Sequence, residues 1–69
     1  MREARTDRGR ALSSPEAAER LGVSPETLPA WRSRGRGPRF VRAGRAVRYL
    51  EADLEAYLDK RAVDPEAVR

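Results

Sequence analysis

The sequence contains neither cysteine nor histidine, and it has a single tryptophan, a single phenylalanine and a single methionine. The lack of cysteine excludes disulfide bonds and thiolate metal sites. The lack of histidine removes the commonest general base and metal ligand. Only carboxylates are left for such chemistry, and no phosphate-binding loop accompanies them. We therefore expect no enzymatic activity, no metal site and no cofactor.

Long apolar stretches are missing as well. No run approaches the roughly 18 residues that span a membrane, and no signal-peptide pattern is visible. We therefore expect a cytoplasmic protein that does not associate with membranes. The 69 residues suffice for one domain with a small core, because a chain of this size buries only about 60% of its unfolded surface.

Acidic residues are absent from one segment, residues 31–48. The net charge of +4 is divided unevenly: this segment carries +7, residues 11–30 carry −2 and residues 49–69 carry −3. A GC-rich genome explains why arginine replaces lysine, but it does not explain why the acids are missing. A basic segment between acidic flanks is typical of proteins that bind polyanions. The basic residues of the segment are Arg32, Arg34, Arg36, Arg39, Arg42, Arg45 and Arg48.

Two short helices are predicted in the first half of the chain. Ser13 and Glu16 have the spacing of a capping box, and Gly22 is suited to end a helix of about eight residues. Ser24 followed by Pro25 then predicts a second helix start, with an N-cap serine and a proline at the first helical position. Two helices joined by a turn of about four residues form a helix-turn-helix pattern.

A hairpin rich in arginine is predicted in residues 39–50. A three-residue loop, residues 44–46, gathers the apolar side chains on one face, whereas a two-residue loop, residues 44–45, mixes the two faces. We favour the three-residue loop, which sets Arg42 directly opposite Arg48. Because like charges opposed across a strand pair are destabilising, this arrangement predicts a contact with phosphates or with a narrow minor groove.

A last helix is predicted from Glu51 to about Ala62, with its acidic residues on a solvated face. Its core-facing stripe consists of Leu50, Leu54, Tyr57 and Leu58. The sequence thus predicts a mainly α fold with a small β-hairpin in residues 11–62. Residues 1–10 are expected to form a disordered basic arm, and residues 63–69 a frayed tail.

The order helix, turn, helix, arginine-rich hairpin, helix resembles the excisionase-like branch of the MerR superfamily. The residues that carry the resemblance are residues 12–24, Thr27, Leu28, Trp31, residues 37–49 and residues 53–58. The resemblance implies a winged helix-turn-helix, in which the second helix reads the major groove and the hairpin wing contacts the minor groove and the backbone. It implies a double-stranded DNA partner and an accessory role in site-specific recombination. A MerR-like or AlpA-like transcription regulator is the alternative.

On this interpretation the DNA-contacting residues divide between the second helix and the wing. Thr27 and Ser33 are the candidates for contacts with base edges. Arg32, Arg34, Arg36 and Arg39 are expected to hold phosphates. The expected wing contacts are Arg42, Arg45 and Arg48.

The second helix departs from the resemblance at its outward positions, which are commonly basic or polar in such proteins. Here they include Glu26, Pro29 and Ala30. Pro29 predicts a kink or a tightened first turn, because it removes one helical hydrogen bond. We therefore expect the arginines of the wing to carry most of the binding.

A single module of this size binds DNA weakly. The resemblance implies a protein of bacterial or phage origin that is associated with the nucleoid, and we expect it to be monomeric in solution. Its expected partners on DNA are an integrase or recombinase and further copies of itself. The rival interpretation is a protein-interaction adaptor with the same fold, whose basic wing docks on an acidic partner.

Overall fold

A computed structural model describes residues 8–65, which form a three-stranded antiparallel sheet and three helices. The strand order in the sheet is β1-β3-β2, so β3 is the central strand. The elements in chain order are β1 (Ala11–Leu12), α1 (Ser14–Leu21), α2 (Thr27–Ser33), β2 (Val41–Ala43), β3 (Ala46–Leu50) and α3 (Glu51–Arg61).

Helix α1 begins and ends where the sequence predicts. The Ser13 N–H donates to Glu16 Oε1 at 2.9 Å, and the Glu16 N–H donates to Ser13 Oγ at 3.3 Å. These two bonds form a complete capping box. The helix ends before Gly22, where the Val23 N–H turns back to the Ala18 carbonyl at 3.0 Å.

Helix α2 begins later than predicted, at Thr27 instead of Pro25. The prediction that Ser24 is the N-cap is wrong: its carbonyl accepts the Thr27 N–H at 3.0 Å in a tight turn that precedes the helix. Pro29 is the reason, because it has no N–H to bond the Pro25 carbonyl and so cannot extend the helix backwards. At the third helical position its missing N–H costs nothing. The first turn is thus tightened, and residues 22–26 separate the two helices.

The hairpin has the two-residue loop, so the predicted three-residue loop is wrong. Arg42 pairs with Val47, and Val41 pairs with Arg48. Gly44 begins the loop with a φ of +63°, which suits the primed turns that connect strands through two residues. Arg42 and Arg48 consequently lie on opposite faces of the hairpin and do not oppose each other.

Strand β1 was not predicted, because two residues carry no readable alternation. Leu12 pairs with Tyr49, and Ala11 pairs with Leu50. Because β3 is the central strand, this pairing uses the edge of β3 opposite to β2. Since opposite residues share a face of the sheet, Leu12 and Tyr49 enter the core together.

The core lies between the helices and one face of the sheet. Its fully buried members are Leu12, Ala17, Ala18, Leu28, Tyr49 and Leu54. Trp31 is only partly buried; its ring packs against Tyr57, with the ring centroids 5.9 Å apart. Leu58, predicted to face the core, is 44% exposed. So small a core cannot cover the whole length of α3, and Leu58 lies in the second half of that helix.

The first described residues are tied to the start of α3. The Arg10 carbonyl accepts the Glu51 N–H at 3.0 Å, and the Arg8 carbonyl accepts the Ala52 N–H at 3.0 Å. These bonds satisfy two of the N–H groups that a helix start leaves without partners. Residues 1–7 of the predicted arm and residues 66–69 of the predicted tail lie outside the described residues.

Together these elements are a winged helix-turn-helix fold, which confirms the predicted fold class. Helices α1 and α2 pack against each other. The hairpin of β2 and β3 follows them as the wing, and α3 packs against β3 and α1.

We predict that Gly37→Ala destabilises the protein more than Gly35→Ala. Both glycines have positive φ, so both alanines strain the backbone by about 1–2 kcal/mol. A Cβ at Gly37 would lie 2.8 Å from Trp31 Cε3, whereas at Gly35 nothing lies within 4 Å. Overpacking should therefore add at least about 1 kcal/mol at Gly37, measured by urea unfolding. Equal losses would contradict this account of the loop.

We also predict that Glu51→Gln makes the free energy of unfolding less dependent on pH in the acid range. Hydrogen bonds from the Arg10 main chain, followed by one from the Arg20 side chain, hold the pKa of Glu51 below its ordinary value. A lowered folded-state pKa gives stability that is present above the unfolded value of about 4.3 and is lost as the pH falls through the folded value. In this variant the slope of the free energy of unfolding against pH should decrease without vanishing, because the pKa of Glu16 is lowered as well.

The measurement is chemical unfolding at a series of pH values from about 7 to 3. Glu55→Gln, on the exposed side of the same helix, is the matched control. A Glu51→Gln profile as steep as that of the native protein would refute the assigned role of this carboxylate.

Candidate nucleic-acid interface

The structure divides the seven arginines of residues 31–48 by what their side chains contact. Three are engaged within the fold. The Arg32 Nη1 donates to Tyr49 Oη at 2.9 Å and to Ser14 Oγ at 3.1 Å. The Arg39 Nη1 lies 3.2 Å from Asp53 Oδ2 in an ion pair, and the Arg48 Nη1 donates to the Val47 carbonyl at 2.9 Å. These side chains satisfy acceptors of the domain itself.

The other four arginines are exposed and carry no ion pair within residues 8–65. The side chains of Arg34, Arg36 and Arg45 make no hydrogen bond or ring contact there either. Arg42 touches only the Phe40 ring, with its guanidinium 5.7 Å from the ring centroid. We call Arg34, Arg36, Arg42 and Arg45 the unpaired arginines.

The chain places the unpaired arginines in two groups. Arg34 and Arg36 stand where α2 ends. There the Arg36 N–H bonds to the Trp31 carbonyl at 2.8 Å and the Gly35 N–H bonds to the Arg32 carbonyl at 3.1 Å, a Schellman ending. Arg42 lies on β2, and Arg45 lies in the turn at the tip of the wing. The end of α2 and the wing thus each present two guanidinium groups to solvent.

The predicted base-reading residues occupy both ends of α2. Ser33 is the last helical residue and is exposed. Thr27 is the first, is partly buried, and has its Oγ1 3.1 Å from Ser24 Oγ. The Thr27 hydroxyl therefore already has a local hydrogen-bond partner.

A negative charge precedes α2. A hydrogen bond from its own main-chain N–H, and then one from the Ser24 side chain, hold the pKa of Glu26 below its ordinary value. The carboxylate is therefore ionised at neutral pH, where it repels phosphate and can accept only from an amine such as cytosine N4. The helix positions after it include Pro29 and Ala30, both exposed and without a hydrogen-bonding side chain.

The acidic residues of α3 were predicted to form a solvated face, but two of them bind other groups of the domain. Glu51 accepts from the Arg10 main chain at 3.0 Å and from Arg20 Nη2 at 2.9 Å. Asp53 forms an ion pair with Arg39.

In the part of the chain that the structure describes, no three acidic residues are grouped so that they could hold a metal ion. None of the described helices is long and apolar enough to cross a bilayer.

Comparison with known families agrees with the helix-turn-helix fold. Residues 11–62 match the family model described as a helix-turn-helix domain, which covers more than half of the chain. The chain belongs to this helix-turn-helix family. It is therefore a small DNA-binding helix-turn-helix protein. No curated protein matches the chain.

Several residues that position the arginines of this helix-turn-helix protein were not singled out by the sequence. Tyr49 and Phe40 were not among the predicted site residues, yet Tyr49 accepts a hydrogen bond from Arg32, and the Phe40 ring lies beside two guanidinium groups. One signal was available. Arg32 stands four residues after the buried Leu28, so it projects from the same side of α2.

Proposed function

We propose that this helix-turn-helix protein binds double-stranded DNA through the wing and the end of α2, as an accessory factor for site-specific recombination of the excisionase type. The observation that carries the proposal is the set of unpaired arginines. The arginines on either side of them along the chain engage acceptors of the fold, whereas these four leave their guanidinium groups to solvent.

Phosphate contacts are the natural use of such a set. Contacts to phosphate oxygens supply most of the affinity of small DNA-binding modules and fix their orientation. We assign Arg34 and Arg36 to phosphates of the DNA backbone beside α2, which is the recognition helix in this proposal. Arg42 and Arg45 would contact phosphates from the wing. Arg39 would reach a phosphate only by leaving Asp53, and Arg48 only by leaving the Val47 carbonyl.

Recognition of individual bases by α2 is weak in this proposal. Ser33 is the main candidate for a base edge, and Thr27 would have to exchange its contact with Ser24. The Glu26 carboxylate repels the phosphates of the DNA backbone and so opposes their close approach to the start of α2. A protein with little base reading selects its site through the shape and deformability of DNA, which suits an architectural role.

The size of the domain supports a cooperative mode of action. A single module buries only about 600–1,000 Å² on DNA. We propose that neighbouring copies, or a recombinase bound beside the protein, supply the remaining affinity. In this role the protein is not an enzyme, and it acts on the DNA in the cytoplasm.

We expect Arg42→Ala and Arg45→Ala each to weaken DNA binding and to lower the slope of log K against log salt. Each lost phosphate contact should reduce the slope by about 0.9. Fluorescence anisotropy with a labelled duplex between 50 and 200 mM salt measures both quantities. Arg61→Ala is the control, because Arg61 lies over the Tyr57 ring at the end of α3. An unchanged slope in both wing variants would refute the wing contacts.

The architectural role predicts that the bound DNA is bent. Energy transfer between dyes at the two ends of a duplex should rise on binding, and a bound duplex that stays straight would favour a simple transcription regulator.

A gel shift with random duplex, with and without heparin, tests whether the protein binds DNA at all. Failure to shift any duplex at low salt would overturn DNA binding by this surface and favour the adaptor with an acidic protein partner.

A further inference from the structure

We propose that Arg32 is a positioning residue, which fixes the recognition helix relative to the wing and does not itself contact DNA. This departs from the expectation that Arg32 holds a phosphate. The inference rests on the proposed function in one respect, that α2 and the wing meet the same DNA. Its structural part concerns the protein alone.

The Arg32 guanidinium touches three other parts of the fold. It donates to Ser14 at the start of α1 and to Tyr49 on β3. Its central carbon lies 5.7 Å from the centroid of the Phe40 ring, just before β2. Phe40 and Tyr49 pack against each other with their ring centroids 6.0 Å apart. One side chain of α2 therefore holds both α1 and the base of the wing.

The chemistry of this contact requires a guanidinium. Tyr49 is 1% exposed, and its hydroxyl has no other hydrogen-bond partner within residues 8–65. A buried hydroxyl left without a partner is destabilising. A planar guanidinium can donate in two directions and stack on an aromatic ring at once, whereas a lysine ammonium cannot reproduce that geometry.

The direction of the side chain also separates Arg32 from the DNA-facing side of α2. Arg32 follows the buried Leu28 by four residues, so both project from the core side of the helix. Arg34 comes two residues later and projects from the opposite side. The two arginines are thus neighbours in sequence with different tasks.

The packing of α2 explains why such a link is needed. The helix packs chiefly on α1, whereas β3 packs on α1, α3 and β1. The angle between α2 and the wing would otherwise depend on α1, which contacts both, and on the contact of Trp31 with Tyr57 of α3. The Arg32 contact with Tyr49 and Phe40 joins them directly.

Paired spin labels test the structural part in the protein without DNA. The chain has no cysteine, so Ala30→Cys and Arg45→Cys place one label on the exposed side of α2 and one at the tip of the wing. We expect a narrow distance distribution that broadens when Arg32→Met is added. Arg34→Met is the matched control and should leave the distribution unchanged.

Two further variants keep this test decisive. Arg32→Lys retains the positive charge but not the planar guanidinium, so we expect it to broaden the distance distribution too. If Arg32→Met fails to fold, Tyr49→Phe removes only the hydroxyl and keeps the buried ring, and it should broaden the distribution in a folded protein. An unchanged distribution in the folded variants would overturn the proposal.

Binding measurements separate positioning from contact. In the chain without labels, Arg32→Met should weaken DNA binding about tenfold without changing the salt slope, whereas Arg34→Met should lower the slope by about 0.9. A similar drop in slope for Arg32→Met would show that Arg32 contacts phosphate and would overturn the proposal. If the native protein binds no DNA, the proposed function fails, and the label distances alone decide the structural part.

Discussion

The hydroxyl of Tyr49 enters the core on a side chain that is 1% exposed, and it has to find a hydrogen-bond partner there. Arg32 provides that partner from α2, while Leu12 pairs with Tyr49 across the sheet and Phe40 packs beside its ring. In the role proposed for Arg32, a requirement of the core thereby fixes where the wing lies relative to α2. The proposed DNA-binding surface depends on this contact, which forms within the protein alone.

The arginines of the basic segment serve two purposes, and the acidic residues help to separate them. Asp53 and main-chain or hydroxyl acceptors engage Arg32, Arg39 and Arg48, which stabilise the domain. The unpaired arginines keep their guanidinium groups in solvent, as the proposed DNA contacts require. The net charge of the segment therefore overstates its binding capacity, because part of the positive charge is used inside the protein. Under the proposed function, a count of phosphate contacts taken from the sequence alone would be too high.

The sequence predicts best where the signal is local. The capping box at Ser13 and the order of elements were readable because neighbouring residues determine them. The register of the hairpin was not, because the two-residue turn that Gly44 begins sets it, whereas the prediction relied on gathering the apolar side chains on one face. The candidate site shows the same division. Composition located the basic segment, but the acceptors Ser14 and Tyr49 that distinguish Arg32 from Arg34 are distant in sequence.

The attachment of Arg10 to Glu51 joins residues 41 positions apart, and β1 closes the sheet across a similar distance. During synthesis the first strand leaves the ribosome long before its partner strand or the helix that it caps. Closure of so non-local a structure has to wait until β3 and the start of α3 have emerged. A nascent chain that ends before Glu51 therefore contains both motif helices and all three strands, but it lacks α3 and cannot form the bonds from the Arg8 and Arg10 carbonyls to the start of that helix.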